Sequence, residues 1–229
     1  MKKELLIFGA NGALGRGVTK SLISKDYDKI YLFASKFDSE SAIPTIEQIK
    51  VHDLSVEENV STALGKIEPA KDKVLYLFST VGGFSGGKNI WETDSSDWDK
   101  MMDKNLKSGF FIAKYFSLLV SNSHSGSICF TSAFTGLNPE AGKGAYGVSK
   151  AALIHLIKTL SEEGKEIHLS ANAIAPFIID TLANREWMKD ADYDSWMKPE
   201  EIGELIHSIF NNYNFVSGNV FELKNRFNY

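Results

Sequence analysis

The sequence predicts an α/β protein with a parallel sheet that is covered by helices. Short apolar runs alternate with longer segments of helical period along the chain. A glycine-rich stretch directly follows the first apolar run, and no repeat, low-complexity tract or linker interrupts the alternation. Such alternation is typical of parallel strands joined by crossover helices. We therefore expect one domain that covers residues 1–229.

Seven short apolar runs have the length and composition of strands. Two helix starts also carry chemical markers. Ser55 followed by Glu58 has the form of a capping box, and Pro199 followed by two glutamates suits a first helical turn. The predicted strands cover residues 5–8, 30–33, 49–51, 74–78, 127–131, 170–174 and 220–223.

The composition favours a small-molecule partner. The formal net charge is −4 and there is no long basic run, so nothing indicates binding to nucleic acid or to an anionic membrane. The single cysteine, Cys129, excludes an internal disulfide and is expected in a buried strand. The histidines share no ligand spacing, so we expect no metal site. The first apolar run is too short for a signal peptide, and we expect a cytoplasmic protein.

The glycine-rich stretch predicts a dinucleotide-binding turn between the first strand and the first helix. Gly9 would permit the tight turn, Gly12 would let the backbone approach a pyrophosphate, and Gly15 would let the helix pack closely on the strand. A merely tight strand-to-helix turn is the alternative. The residues expected to contact the cofactor here are Gly9, Asn11, Gly12, Ala13, Leu14 and Gly15.

The end of the second strand favours NADP(H) over NAD(H). NAD enzymes usually carry an acid there for the ribose hydroxyls, whereas this chain has Ser35 and Lys36. A hydroxyl and a cation would accept a 2′-phosphate. Alternatively, Lys36 is a solvated turn residue and Asp38 serves as a displaced acid. After the third strand, Asp53 and Leu54 are expected beside the adenine, although Asp53 also suits a helix start.

Tyr146 and Lys150 are the predicted catalytic pair. Residues four apart on a helix lie on one face, so a phenol and an ammonium would stand side by side. A nearby positive charge stabilises the phenolate, and we expect it to lower the pKa of Tyr146 toward working pH. The pair would then act as a tuned proton donor. By itself, however, the same spacing also occurs on solvated helix faces.

Together with Asn105, these motifs resemble the short-chain dehydrogenase/reductase family over nearly the whole chain. The resemblance implies a doubly wound, Rossmann-type parallel sheet of about seven strands with helices on both faces. It implies that Tyr146 is the proton donor, that Lys150 holds the nicotinamide ribose, and that Asn105 supports a water-linked proton path. It also implies cofactor contacts from Val81, Gly82 and Pro176.

One position departs from the main branch of that family. A serine that binds the substrate oxygen usually lies thirteen residues before the tyrosine, and this chain has Ala133 there. A methyl group cannot donate a hydrogen bond. Either a loop shift brings Ser132 or Thr135 into place, or the chain belongs to a branch that does without the serine.

Within the family, the sequence resembles most the dihydropteridine reductase branch. The resemblance is carried by Ala133 itself and by residues 12–15, 82–87, 180–181, 184–185, 191–196 and 217–218. The chain departs from this branch at Phe84, where the branch has tryptophan, at the end of the second strand, where the branch has an acid, and at Asn105, which follows the main branch.

We therefore expect an NAD(P)H-dependent oxidoreductase that transfers hydride to a small conjugated acceptor of the quinonoid dihydropterin type. The alternatives are a carbonyl or ketone reductase and a non-catalytic NAD(P)-sensing regulator. We expect a substrate loop around residues 181–198 and a homodimer or homotetramer formed through the apolar helices at 97–120 and 146–160. The expected substrate contacts are Phe84, Ala133, Phe134 and Trp187, with Tyr193 and Trp196 as further stacking candidates unless they are ordinary packing residues.

Overall fold

The computed structural model describes residues 1–227 of the chain, and seven strands in it form one parallel sheet. The sheet order is β3-β2-β1-β4-β5-β6-β7. All seven predicted strands are confirmed, with boundaries that move by no more than three residues. The strands are β1 (Lys2–Phe8), β2 (Lys29–Ala34), β3 (Ile46–Lys50), β4 (Lys73–Ser79), β5 (Ser125–Thr131), β6 (Leu169–Pro176) and β7 (Val220–Leu223).

Helices connect most of the strands and cover both faces of the sheet, as predicted, whereas a loop without a helix joins β2 to β3. A 3₁₀ turn (Ile90–Glu92) precedes α3, a six-residue π-helical turn (Met102–Lys107) separates α3 from α4, and 3₁₀ turns follow α6 (Gly164–Ile167) and α7 (Tyr193–Ser195). The α-helices are α1 (Ala13–Leu22), α2 (Glu57–Leu64), α3 (Ser95–Met101), α4 (Ser108–Ser121), α5 (Phe134–Leu137), α6 (Gly144–Glu163), α7 (Leu182–Trp187) and α8 (Pro199–Asn211).

Two apolar cores lie on opposite faces of the sheet because successive strand residues point to opposite sides. In β1, Leu5 and Ile7 join the core under α1 and α8, whereas Leu6 and Phe8 join the core under α2, α4 and α6. All four side chains are fully buried. This double coverage explains why the strands read as continuous apolar runs rather than as alternating ones.

The order of strands reverses between β1 and β4, which are neighbours in the sheet. The register sets Phe8 beside Phe33 of β2 on one side and Ser79 of β4 on the other, so these strands end at the same level. Their connections then diverge to opposite halves of the sheet. In open α/β sheets, ligands bind in the crevice that this divergence leaves.

Of the two predicted helix starts, one is confirmed and one is wrong. Helix α8 begins at Pro199, and the carboxylate of Glu201 accepts a hydrogen bond from the Lys198 amide at 2.8 Å. Helix α2 begins at Glu57, and Ser55 does not cap it. Instead, the Ser55 hydroxyl donates to Asp53 at 2.6 Å, because the nearer carboxylate forms a local turn with it.

The segment after Trp98 is not the single long helix that the sequence predicts. The π-helical turn interrupts it, and buried Asn105 lies in that turn. Cys129 is buried in β5, as predicted. In the described part of the chain, no helix combines the length and the apolar character needed to span a bilayer.

Candidate active site

The glycine-rich turn after β1 has the geometry that the sequence predicts. Gly9 has a φ of +76°, a conformation that side-chain-bearing residues rarely adopt, and its amide donates to the Phe33 carbonyl at 2.9 Å. Gly12 is the residue before α1. A Cβ on Gly15 would lie 2.2 Å from the Gly9 carbonyl oxygen, so only glycine lets the helix approach the turn. The turn therefore presents backbone, and not side chains, at the start of α1.

A cleft of about 490 Å³ opens beside this turn at the carboxyl ends of β1 to β4. It fits an extended anionic dinucleotide, since the backbone at Gly9 and Gly12 is open to a pyrophosphate and the N-terminus of α1 faces the same turn. The residues predicted to bind cofactor that line it are Gly9, Asn11, Gly12, Ser35, Lys36, Asp53, Leu54, Val81 and Gly82.

The other residues predicted to bind cofactor, which include Tyr146 and Lys150, do not line this cleft. Ala13 and Gly15 line neither this cleft nor its neighbour, because they form the first turn of α1 behind the loop. Gly15 acts by close packing, and the cofactor contacts expected of both residues stay predictions. Leu14 and Pro176 line the neighbouring cleft.

At the far end of the first cleft, the charges favour an anion. Ser35 and Lys36 both line the cleft. Asp38 does not, because its carboxylate pairs with the Arg16 guanidinium at 2.8 Å. Arg16, which the sequence analysis missed, also donates to the Asn11 carbonyl at 2.9 Å. The acid that could have served the ribose is thus held by a cation.

Asp53 lines the first cleft but does not begin a helix, because α2 starts at Glu57; its place beside the adenine stays a prediction. It accepts hydrogen bonds from the hydroxyl and the amide of Ser55. These bonds hold the pKa of Asp53 below its usual value, so it stays a carboxylate. Its φ of +28° shows that this tight turn has a backbone conformation uncommon for a residue other than glycine.

A second cleft, of about 780 Å³, holds the predicted catalytic pair. It shares Thr80 and Gly82 with the first cleft, so the two are continuous. Tyr146 and Lys150 of α6 line it together with the predicted substrate residues. Those residues are Phe84, Ala133, Phe134 and Trp187.

Aromatic side chains at this cleft leave an exposed apolar surface. The Phe84 ring lies edge-on to the Tyr146 ring, with 5.0 Å between centroids, and 6.1 Å from Trp187. Phe84 is 54% exposed and Trp187 is 70% exposed. Phe134 packs edge-on against Phe177 at 5.0 Å. A flat ring could be bound between these side chains with gain of apolar burial.

The two further stacking candidates are wrong. Trp196 is only 2% exposed and fills a packed interior position. Tyr193 lies against it, with 4.9 Å between ring centroids, and its hydroxyl donates to the carbonyls of Arg185 and Lys189. Neither lines the cleft. Ordinary packing explains both.

Asn105 links three parts of the site through its buried amide. Its Oδ1 accepts from the Gly83 amide at 2.8 Å, and its Nδ2 donates to the Gly83 carbonyl at 3.0 Å and to the Ser149 hydroxyl at 2.9 Å. Ser149, which lies between the catalytic pair and was missed by the sequence analysis, donates to the Tyr146 carbonyl at 2.7 Å. Asn105 therefore fixes both the loop after β4 and helix α6. The expected water-linked proton path stays a prediction.

Lys150 is only 4% exposed, and its Nζ donates to the Thr131 carbonyl at 2.9 Å. Burial lowers the pKa of this ammonium to about 8. Burial, and secondarily the charge of Glu140, raises the pKa of Tyr146 to about 12. The expectation that Lys150 lowers the tyrosine pKa is therefore wrong for the free protein, because desolvation of the phenolate dominates. Tyr146 is held as a protonated phenol.

The hydroxyls beside Ala133 do not replace the missing serine. Ser132 donates to the Lys150 carbonyl at 2.9 Å, and Thr135 donates to the Glu140 carboxylate. Both protons are thus bound by protein acceptors. Within residues 1–227, by contrast, no protein group hydrogen-bonds the Tyr146 hydroxyl, which lines the cleft. No group of His, Cys, Asp and Glu in the same range is arranged to hold a metal ion.

We predict that Lys150→Met raises the free energy of unfolding at pH 7 by about 1–2 kcal/mol. The lowered pKa corresponds to roughly 3 kcal/mol of destabilisation, and loss of the bond to Thr131 offsets about 1–2 kcal/mol of the gain. Because the folded-state pKa of about 8 is below the ordinary 10.5, the destabilisation is complete below pH 8 and disappears toward pH 10.5. Urea unfolding at pH 7 and pH 10 measures this.

The matched control is Lys158→Met, an exposed lysine on the same helix. The free energy of unfolding of this variant should differ little from that of the wild type, and the difference should be the same at both pH values. A Lys150→Met difference that is equally large at pH 7 and pH 10 would contradict the assignment of a buried ammonium.

Comparison with known proteins agrees with the geometry. The family model for short chain dehydrogenases matches residues 3–192. A dihydropteridine reductase of Dictyostelium discoideum is 32% identical over 90% of this chain and 87% of its own. A 3-oxoacyl-(acyl-carrier-protein) reductase of Staphylococcus epidermidis is 25% identical over 80% of this chain and 78% of its own. The solved structure of ElxO with NADP bound superimposes with a TM-score of 0.83, at 25% identity and 97% coverage of each chain. The chain therefore belongs to the short-chain dehydrogenase/reductase family and is an NAD(P)-dependent oxidoreductase.

Proposed function

We propose that this enzyme uses NADPH to reduce a flat, conjugated heterocycle of the quinonoid dihydropterin class. One observation carries the proposal: Tyr146, whose hydroxyl has no hydrogen-bond partner within residues 1–227, lines a cleft together with Ala133, and the hydroxyls adjacent to Ala133 donate to protein acceptors. The similarity to a dihydropteridine reductase supports the same substrate class.

The two substrate classes differ in how many hydrogen-bond donors the enzyme must supply. Reduction of an isolated ketone benefits from a second donor that holds and polarises the carbonyl oxygen. A quinonoid ring is already electron-poor, and its conjugation spreads the incoming electrons over several atoms. One positioned acid can therefore suffice, and the exposed rings of Phe84 and Trp187 would orient the flat substrate.

Each side chain then has a defined role. The bound nicotinamide cofactor supplies the hydride. Tyr146 donates the proton to a ring heteroatom of the substrate, which gains one hydride and one proton in total. Lys150 would hold the ribose hydroxyls of the cofactor and would stabilise the phenolate that remains. Asn105 acts by positioning, since its amide holds the loop at Gly83 and, through Ser149, the backbone of Tyr146.

The two alternatives have less support. A carbonyl or ketone reductase would need a replacement for the missing serine, and both Ser132 and Thr135 donate their protons to protein acceptors. A non-catalytic sensor would have no need for a buried lysine beside a protonated tyrosine. The family relatives of known activity are reductases or dehydrogenases.

We further propose that residues 181–198 form the substrate loop and that α4 and α6 form a homodimer interface. Ala183, Asn184 and Trp187 of α7 line the second cleft. On α4 and α6, Phe110, Leu118 and Val148 are exposed although they are apolar. A second copy of the chain would bury these side chains, and a homotetramer would add a further interface. Sedimentation velocity of the purified protein measures the oligomeric state.

We predict that Tyr146→Phe lowers turnover of quinonoid dihydropterin by about 100-fold or more, because it removes the proton donor. The affinity for NADPH should change by less than about threefold, since one hydroxyl is lost from a large binding surface. Stopped-flow turnover and fluorescence titration of NADPH measure the two effects. Tyr213→Phe is the control, because that hydroxyl bonds to the Ser125 hydroxyl outside both clefts. Full turnover by Tyr146→Phe would remove this residue from the mechanism.

For the cofactor, we propose NADP(H) over NAD(H), because Lys36 lines the cleft and Arg16 holds Asp38. We predict that Lys36→Ala weakens NADPH binding about tenfold and leaves NADH binding within about twofold, since only the former carries a 2′-phosphate. Titration of both nucleotides measures the difference. The control is Lys66→Ala, which removes an exposed lysine outside the cleft. If the wild type binds NADH as tightly as NADPH, the proposed preference is wrong.

A further inference from the structure

The second cleft contains a carboxylate to which the mechanism gives no role. Glu140 lines the cleft together with Tyr146, in the turn that precedes α6. One of its oxygens accepts the Thr135 hydroxyl, and the other pairs with Lys143 at 2.6 Å. Two side chains thus hold this carboxylate from one side of the turn.

The turn itself is fixed to the rest of the site. Gly142 has a φ of +74°, and its carbonyl accepts from the Gly87 amide at 2.8 Å, which joins the turn to the loop that carries Phe84. The Lys143 carbonyl accepts from the Gly147 amide at 2.7 Å, within the first turn of α6. The carboxylate, the Phe84 loop and Tyr146 therefore form one connected wall.

Glu140 is charged under ordinary conditions. The hydrogen bonds from Lys143 and then from Thr135 hold its pKa below the usual value. An ionised carboxylate only accepts hydrogen bonds, and its two oxygens together offer about four acceptor positions. Two of these are used by protein groups, so acceptor capacity remains for a ligand in the cleft.

We propose that Glu140 is a specificity-determining residue that selects heterocyclic substrates carrying N–H donors. A dihydropterin presents a ring N–H next to an exocyclic amino group, a pair of donors that matches a carboxylate. Quinones and simple ketones present acceptors only, so they cannot donate a hydrogen bond to this carboxylate. This role of Glu140 rests on the proposed function, because it identifies the edge of the pterin substrate that the cleft binds.

The test compares two substrates in wild type and Glu140→Gln, with NADPH saturating. For quinonoid dihydropterin, kcat/KM should fall about 10- to 100-fold, mainly through KM, because a charged acceptor is replaced by an amide that can also present N–H groups. For a naphthoquinone, kcat/KM should change by less than about threefold. Equal losses on both substrates, or no loss on the pterin, would overturn the proposal.

Two further variants separate recognition from general damage. Glu162→Gln is the matched control, since Glu162 pairs with Lys165 at the same three-residue spacing on the exposed end of α6. It should leave both substrates unaffected. Glu140→Asp keeps the charge but shortens the side chain, and its loss on the pterin should be smaller than that of Glu140→Gln.

Equilibrium binding distinguishes failure of this proposal from failure of the proposed function. If the wild type does not turn over quinonoid dihydropterin, the proposed function is wrong. The recognition role of Glu140 can still be tested by measuring, with fluorescence, the binding of a tetrahydropterin to the enzyme in the presence of NADP. About tenfold weaker binding by Glu140→Gln than by the wild type supports the recognition role. Equal affinity, or no binding by either protein, overturns it.

Discussion

The hydrogen bonds of the buried Asn105 amide are the constraint on which the site depends. They join the π-helical turn between α3 and α4, the loop after β4 and helix α6. A buried amide must be satisfied, so these three elements have to meet in one arrangement. Gly82 shows how closely they meet: a Cβ there would lie 2.7 Å from Asn105 Oδ1 and 2.8 Å from Lys150 Nζ.

This arrangement sets the electrostatics of the reacting centre. Lys150 is buried against the end of β5, which lowers the pKa of its ammonium, while burial and Glu140 raise the pKa of Tyr146. Both shifts follow mainly from exclusion of water rather than from attraction between the two groups. The free protein therefore keeps the phenol protonated and ready to donate. In the proposed mechanism, the charge of Lys150 stabilises the phenolate only after Tyr146 has given up its proton.

Local patterns in the sequence predict the fold and much of the site. Seven apolar runs identified the strands, and the glycines identified the turn whose backbone lines the first cleft. The features that these local patterns did not predict depend on tertiary contacts. Trp196 has the composition of a stacking residue and is buried in packing, Ser55 turns to Asp53, and the pKa of Tyr146 depends on burial that no spacing reveals. Glu140 went unnoticed because only the folded turn brings its carboxylate to Tyr146.

Because position 133 is alanine and not serine, no side chain at this position can donate a hydrogen bond to a substrate oxygen. The cleft combines the Tyr146 phenol, exposed aromatic rings and the carboxylate of Glu140, and in the proposed function this set selects a flat donor-bearing ring over an isolated carbonyl. That selectivity is measured most directly by the ratio of kcat/KM for quinonoid dihydropterin to kcat/KM for a 3-oxoacyl thioester, with NADPH and the wild-type enzyme. The account predicts a ratio of about 100 or more, equivalent to roughly 3 kcal/mol of transition-state discrimination. A ratio near one, or a preference for the thioester, would contradict it.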